Sequence, residues 1–108
     1  MQSLDPSALQ VALTGLSQWA LEPVRPALRR RFEFADFAQA FGFMAEMAIL
    51  SEKQDHHPEW LNVHRLVDVT LTTHDAGGVS ERDIAWARAA DAVFARHCTP
   101  VPLAQAGA

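Results

Sequence analysis

The chain has 108 residues, 49% hydrophobic and 20% charged, with a net charge of −4. That length suits one modest core, so a single domain over residues 1–108 is expected and a second is not. The acidic balance argues against a general nucleic-acid partner, and the single cysteine, Cys98, excludes an internal disulfide.

Asp5-Pro6 reads as a helix start, with Asp as N-cap and Pro at the first helical position. Leu9, Leu13 and Leu16 give a short amphipathic helix that Gly15 should end. Trp19 to Leu21 is a candidate short strand. Pro23 and Pro26 then break the chain in a segment that the sequence puts far from the chemistry. From Leu28 to Phe34 the pattern alternates. Leu28, Arg30, Phe32 and Phe34 share one face, and Arg29, Arg31 and Glu33 the other, so Arg30 interrupts an otherwise apolar side. The Arg29-Arg30-Arg31 cluster is read as strand side chains reaching solvent.

Asp36 caps a second helix with Gln39 as its capping-box partner. Phe37, Phe41, Met44 and Ala48 predict its buried stripe, widened by Ala40 and Met47, to an end near Glu52 or Lys53. Strands are predicted over Trp60–His64 and Val67–His74, forming a hairpin around Arg65-Leu66, a pair poorly suited to positive φ. Val67, Val69, Leu71 and Thr73 share one face of the second strand, and Asp68, Thr70, Thr72 and His74 the other. Gly77-Gly78 makes a tight turn. Ser80 opens a last helix with Asp83 as its capping-box partner and Ile84, Ala87, Ala90 and Phe94 buried, Val93 beside them. The tail from residue 98 has no periodicity and should be loose. Two hairpins interleaved with helices imply an α+β fold, an antiparallel sheet with helices packed on one face. The uncovered face invites a homo-oligomer. No signal peptide or membrane-length apolar run is evident, so a cytoplasmic protein without membrane contact is expected.

Four of the five histidines lie between positions 56 and 74. His56-His57 is an adjacent pair in a loop after a helix, pinned by Pro58, and His74 is expected at a strand end beside a glycine turn. Histidine holds both protonation states near neutrality, which suits proton transfer. Glu52 and Asp83 are the carboxylates able to orient such rings, although each also has a plain helical role, as an exposed residue and as a cap. Trp60 reads equally as a core anchor. His64 and His97 carry no assigned role. Three histidines could bind zinc, but the adjacent pair lacks an i, i+4 spacing and its rings diverge in an extended chain. Metal-free acid–base work is therefore favoured, and no metal or cofactor is expected.

The string Glu52-x-x-x-His56-His57-Pro58-x-Trp60, then Asn62-Val63, Val67-Asp68-Val69-Thr70-Leu71-x-Thr73-His74 and Gly78-x-Ser80-x-x-Asp83, resembles pterin-4a-carbinolamine dehydratase. The likeness extends upstream through Phe32-x-Phe34-x-Asp36-Phe37 and Ala40-Phe41-x-Phe43-Met44. It implies a four-stranded antiparallel sheet with three helices on one face, and dehydration of 4a-hydroxytetrahydropterin to quinonoid dihydropterin. It further implies that His56, His57, His74 and Asp83 form the catalytic set and that Glu52, Pro58 and Trp60 contact the substrate. The partners implied are a small-molecule pterin, a homodimer or homotetramer, and functional coupling to an aromatic amino acid hydroxylase. Two other roles come with the family: pterin binding without turnover, and binding to a homeodomain transcription factor in some animal members.

Overall fold

The computed structural model describes residues 2–98. Residues 99–108, most of the segment read as a loose tail, lie outside them, and Cys98 closes the last helix. The elements run α1 (Pro6–Leu13), β1 (Ala20–Leu21), β2 (Leu28–Glu33), α2 (Phe37–Gln54), β3 (Glu59–Val63), β4 (Leu66–Leu71), a 3-10 turn (His74–Ala76) and α3 (Glu81–Cys98). The strands form one antiparallel sheet in the order β1-β2-β4-β3. With the three helices this is the expected α+β architecture. No helix among the described residues is long and apolar enough to cross a membrane.

Each helix begins on an acceptor side chain. Asp5 Oδ1 takes the Ala8 N–H at 2.8 Å and Asp36 Oδ1 the Gln39 N–H at 2.8 Å, satisfying donors that the first helical turn leaves free. Gln39 reaches back one residue further than a capping box requires, to the Ala35 N–H. Helix α1 stops at Leu13 with Thr14 as C-cap, before Gly15.

Leu28, Phe32, Val67, Val69 and Leu71 turn one sheet face into the core, against Phe43, Met47, Ile84, Trp86 and Ala90 from the helices. Full burial of such side chains contributes about 1.5–3 kcal/mol each. Arg30, expected from the sequence to reach solvent with its neighbours, instead lies on this core face with its side chain 12% exposed, and does so without disrupting it. Its guanidinium lies 4.3 Å from the Phe32 ring centroid and 4.9 Å from that of Phe94, and it pairs with Asp91 Oδ1 at 2.6 Å. Trp19 Nε1 donates to the same Asp91 oxygen. A charge taken from water is tolerable where it keeps a counter-ion and aromatic faces. The outer face carries exposed Arg29, Arg31, Glu33, Leu61 and Val63, with Arg29 bidentate to Asp68.

Three further sequence expectations about the elements need correction. Helix α2 buries Ala40, Phe43, Met47 and Ser51, while Phe37 and Phe41 are 49% and 59% exposed. The helix is apolar almost all round, so periodicity offered two overlapping stripes, and the neighbouring sheet and α3 selected the one through Phe43. The hairpin turn is His64-Arg65, since Val63 pairs with Leu66, and His64 supplies the positive φ of 55°. Asn62 Nδ2 secures that turn by donating to the carbonyls of His64 and Leu66. Strand β4 ends at Leu71, so His74 stands in the 3-10 turn rather than at the strand end.

Candidate active site

The site forms where α2 stops. Asp55, the C-cap, adopts left-handed φ/ψ of 50° and 45°, and its N–H turns back to the carbonyls of Ser51 and Glu52. The His56 N–H follows to Ser51 O at 3.0 Å. This reversal sends the adjacent imidazoles apart. His56 points inward and is 9% exposed, whereas His57 remains open to solvent.

Behind His56 lies Asp83, which is fully buried. Its Oδ1 is 2.6 Å from His56 Nε2, and its Oδ2 accepts from Thr73 Oγ1 at 2.8 Å and from the Ser80 N–H at 2.9 Å. The last bond is the reciprocal half of an N-terminal capping arrangement on α3, so Asp83 both caps the helix and orients a ring. His57 Nε2 has its own carboxylate, Glu52 Oε2 at 2.6 Å, both side chains being exposed.

His74 arrives from the other side. After β4, Thr73 and Gly78 pair across an isolated antiparallel bridge. The intervening residues form the 3-10 turn, closed by Gly77 at φ 71°. A side chain at that φ is strained, which explains glycine there. The bridge holds Thr73 inward beside Asp83 and leaves His74 outward, its side chain 80% exposed. His56, His57, His74, Thr72, Thr73, Asp55, Asp75 and Arg82 thus line one open cavity of about 340 Å³. The three imidazoles share a cavity despite their separation in sequence. Asp83 reaches it through His56 and Glu52 through His57. Pro58 and Trp60 are not among its lining residues, and Trp60 packs edge-to-face on Trp86 at 6.1 Å. Among the described residues, no group of three or more His, Cys, Asp or Glu is placed to hold a metal ion.

Sequence reasoning assigned no role to Arg25, Glu59 or Thr73. The loop of Pro23 and Pro26 is not remote from the motif. Arg25 grips Glu59 through two bonds of 2.8 and 3.3 Å, and Glu59 Oε2 lies 3.8 Å from His74 Nε2. Hydrogen bonding from Arg25 is the main cause holding the Glu59 carboxyl below its ordinary value, opposed by partial burial and helped by the charges of Arg25 and His74. Thr72 Oγ1 also donates to Pro26 O at 2.9 Å. No local signal in the sequence marks this contact. Thr73 did carry a signal, since alternation put a hydroxyl at the end of the apolar row Val67, Val69, Leu71.

The chain is similar to known proteins. The family model for pterin 4 alpha carbinolamine dehydratase matches residues 2–93. A protein of Bradyrhizobium sp. (strain ORS 278) that carries a pterin-4-alpha-carbinolamine dehydratase name is 53% identical over 95 residues, 88% of this chain and 95% of that protein. The crystal structure of a transcriptional coactivator/pterin dehydratase from Brucella melitensis superposes with a TM-score of 0.84 at 47% identity, covering 86% of this chain and 99% of the other. A pterin dehydratase-like protein described as a RuBisCO assembly factor in the alpha-carboxysome gives a TM-score of 0.63 at 29% identity, covering 71% and 89%.

Proposed function

Because the chain belongs to the pterin 4 alpha carbinolamine dehydratase family, we propose that it removes water from a 4a-hydroxytetrahydropterin, giving the quinonoid dihydropterin, by histidine acid–base catalysis. The reaction needs one proton delivered to the departing 4a hydroxyl and one withdrawn from N5. The observation that carries this reading is the convergence of His56, His57 and His74 on one cavity, with a carboxylate bonded to each ring of the pair. His56 and His57 exchange these protons, and His74 binds and orients the flat heterocycle. Positioned acid–base groups contribute roughly 10²–10⁴-fold in rate. Protonation of the leaving group makes a Lewis acid unnecessary, so the reaction is written without metal or cofactor. Glu52 hydrogen-bonds at the rim through His57. Pro58 acts by restricting the backbone of His57 before it, and Trp60 acts indirectly, through its packing on Trp86, whose indole donates to Ser51 at the end of α2.

Exposed Phe37 and Phe41, whose ring centroids are 5.9 Å apart on the outer side of α2, favour a homo-oligomer, dimer or tetramer. Coupling to an aromatic amino acid hydroxylase would supply the hydroxylated pterin. The deciding experiment follows decay of enzymatically generated 4a-hydroxytetrahydropterin with and without the purified protein. Acceleration supports the assignment; pterin binding without acceleration favours a non-catalytic binding protein.

A further inference from the structure

We propose that Thr73 and Ser80 are positioning residues that set the tautomer of His56 through Asp83, leaving His56 Nδ1 as the ring nitrogen that exchanges protons. The inference deepens the dehydratase reading and rests on it for the role of His56, but the tautomer is a property of the protein alone.

Counting protons gives the direction of every bond. Thr73 Oγ1 donates to Asp83 Oδ2 at 2.8 Å, which uses its single hydroxyl hydrogen. The 2.6 Å contact between Thr73 Oγ1 and Ser80 Oγ must then be donated by Ser80. Ser80 Oγ in turn accepts from the Arg82 N–H at 3.3 Å. The hydroxyls therefore form a one-way chain from the start of α3 to Asp83. With the Ser80 N–H also bonded to Oδ2, that oxygen accepts twice and the carboxylate plane is fixed. Oδ1 is thereby aimed at His56 Nε2. An acceptor-only carboxylate requires a hydrogen on Nε2, so neutral His56 carries its lone pair on Nδ1.

The free nitrogen also lies in the right place. Among the described residues, no buried side-chain nitrogen or oxygen lacks a hydrogen-bond partner. His56 is bonded through Nε2, so the unbonded Nδ1 belongs to the part of the ring that solvent reaches; that ring lines both the three-histidine cavity and a neighbouring one formed with Gln54, Glu81, Arg82 and Ala85. The chain from Ser80 through Thr73 to Asp83 engages only Nε2 of that ring. Protons are thus exchanged at one edge of the ring while its other edge is locked.

The test uses the full-length protein carrying ¹⁵N-labelled histidine. Long-range ¹H–¹⁵N spectra of the wild type should show neutral His56 protonated at Nε2 and bare at Nδ1. Thr73→Val keeps the shape, removes the hydroxyl and loosens the aim of Asp83 Oδ1 at Nε2, so it should admit some of the Nδ1-protonated tautomer and lower kcat on the order of tenfold, the loss of one hydrogen bond to a charged group, with KM little changed. Thr73→Ser should restore both. Ser80→Ala should produce a smaller change in the same direction. A wild-type ring protonated at Nδ1 overturns the proposal even if no variant folds. A folded Thr73→Val protein with unchanged tautomer and rate overturns the hydroxyl chain. Failure of the dehydratase reading alone would show as the expected tautomer response in a protein without turnover, a distinct result.

Discussion

His56 Nε2 and Asp83 Oδ1 lie 2.6 Å apart, and the aspartate has no solvent exposure. A buried carboxylate of this kind is stable because both of its oxygens accept hydrogen bonds, three in all. Removing it should harm the fold as well as the chemistry. Asp83→Ala is expected to lower unfolding stability by about 3 kcal/mol or more, because it leaves three buried donors without their acceptor at roughly 1–3 kcal/mol each. Denaturant titration should show the midpoint moving down with little change in slope.

His57 contributes differently. It is exposed and its carboxylate partner is on the surface, so His57→Ala should leave the unfolding midpoint within about 0.5 kcal/mol of the parent. Its rate should nevertheless fall by roughly 10²-fold or more, and the His56→Ala/His57→Ala double variant should be nearly inactive. Unchanged turnover in the double variant would refute the acid–base assignment.

The Arg25–Glu59 pair predicts a pH response with a definite sign. Because the folded-state value of Glu59 is depressed, the stabilisation it contributes is fully present above the ordinary glutamate value of about 4.5. It disappears as pH falls through the depressed value. Arg25→Ala should raise the Glu59 midpoint toward that ordinary value, measurable from the side-chain carboxyl carbon shift across an acid titration. The change in overall stability should be small, since both partners are exposed.

Ser51 is a buried polar residue of α2 whose Oγ donates to Met47 O at 2.6 Å and accepts from Trp86 Nε1 at 2.9 Å. Ser51→Ala leaves the indole N–H of a fully buried tryptophan without a partner. A loss of about 1–3 kcal/mol is expected, with kcat retained, checked by paired thermal melts and rate measurements.

Much of this architecture could be read from local rules. The caps at Asp5, Asp36 and Ser80, the alternation in β2 and β4, and the histidine motif all depend on neighbours in sequence. What escaped depends on tertiary choices. Phe41 and Phe43 are chemically equivalent in the sequence, and only packing against Phe32 and Phe34 buried the second. Arg30 looked misplaced because its counter-ion, Asp91, lies 61 residues away. Arg25 reached the site through a contact 34 residues distant in sequence. His64 accepted a backbone conformation that propensity disfavours, with Asn62 bracing the turn from beside it.

The left-handed conformation of Asp55 has a consequence for how the histidine pair divides its labour. His56 and His57 are identical in covalent structure, so their difference in environment originates in the backbone that precedes them. One dihedral pair makes the first a sheltered, tightly held ring and the second an accessible one. An asymmetric device is thereby built from a repeated letter, and a β-branched residue at position 55, which resists that conformation, would blur the distinction without altering either imidazole.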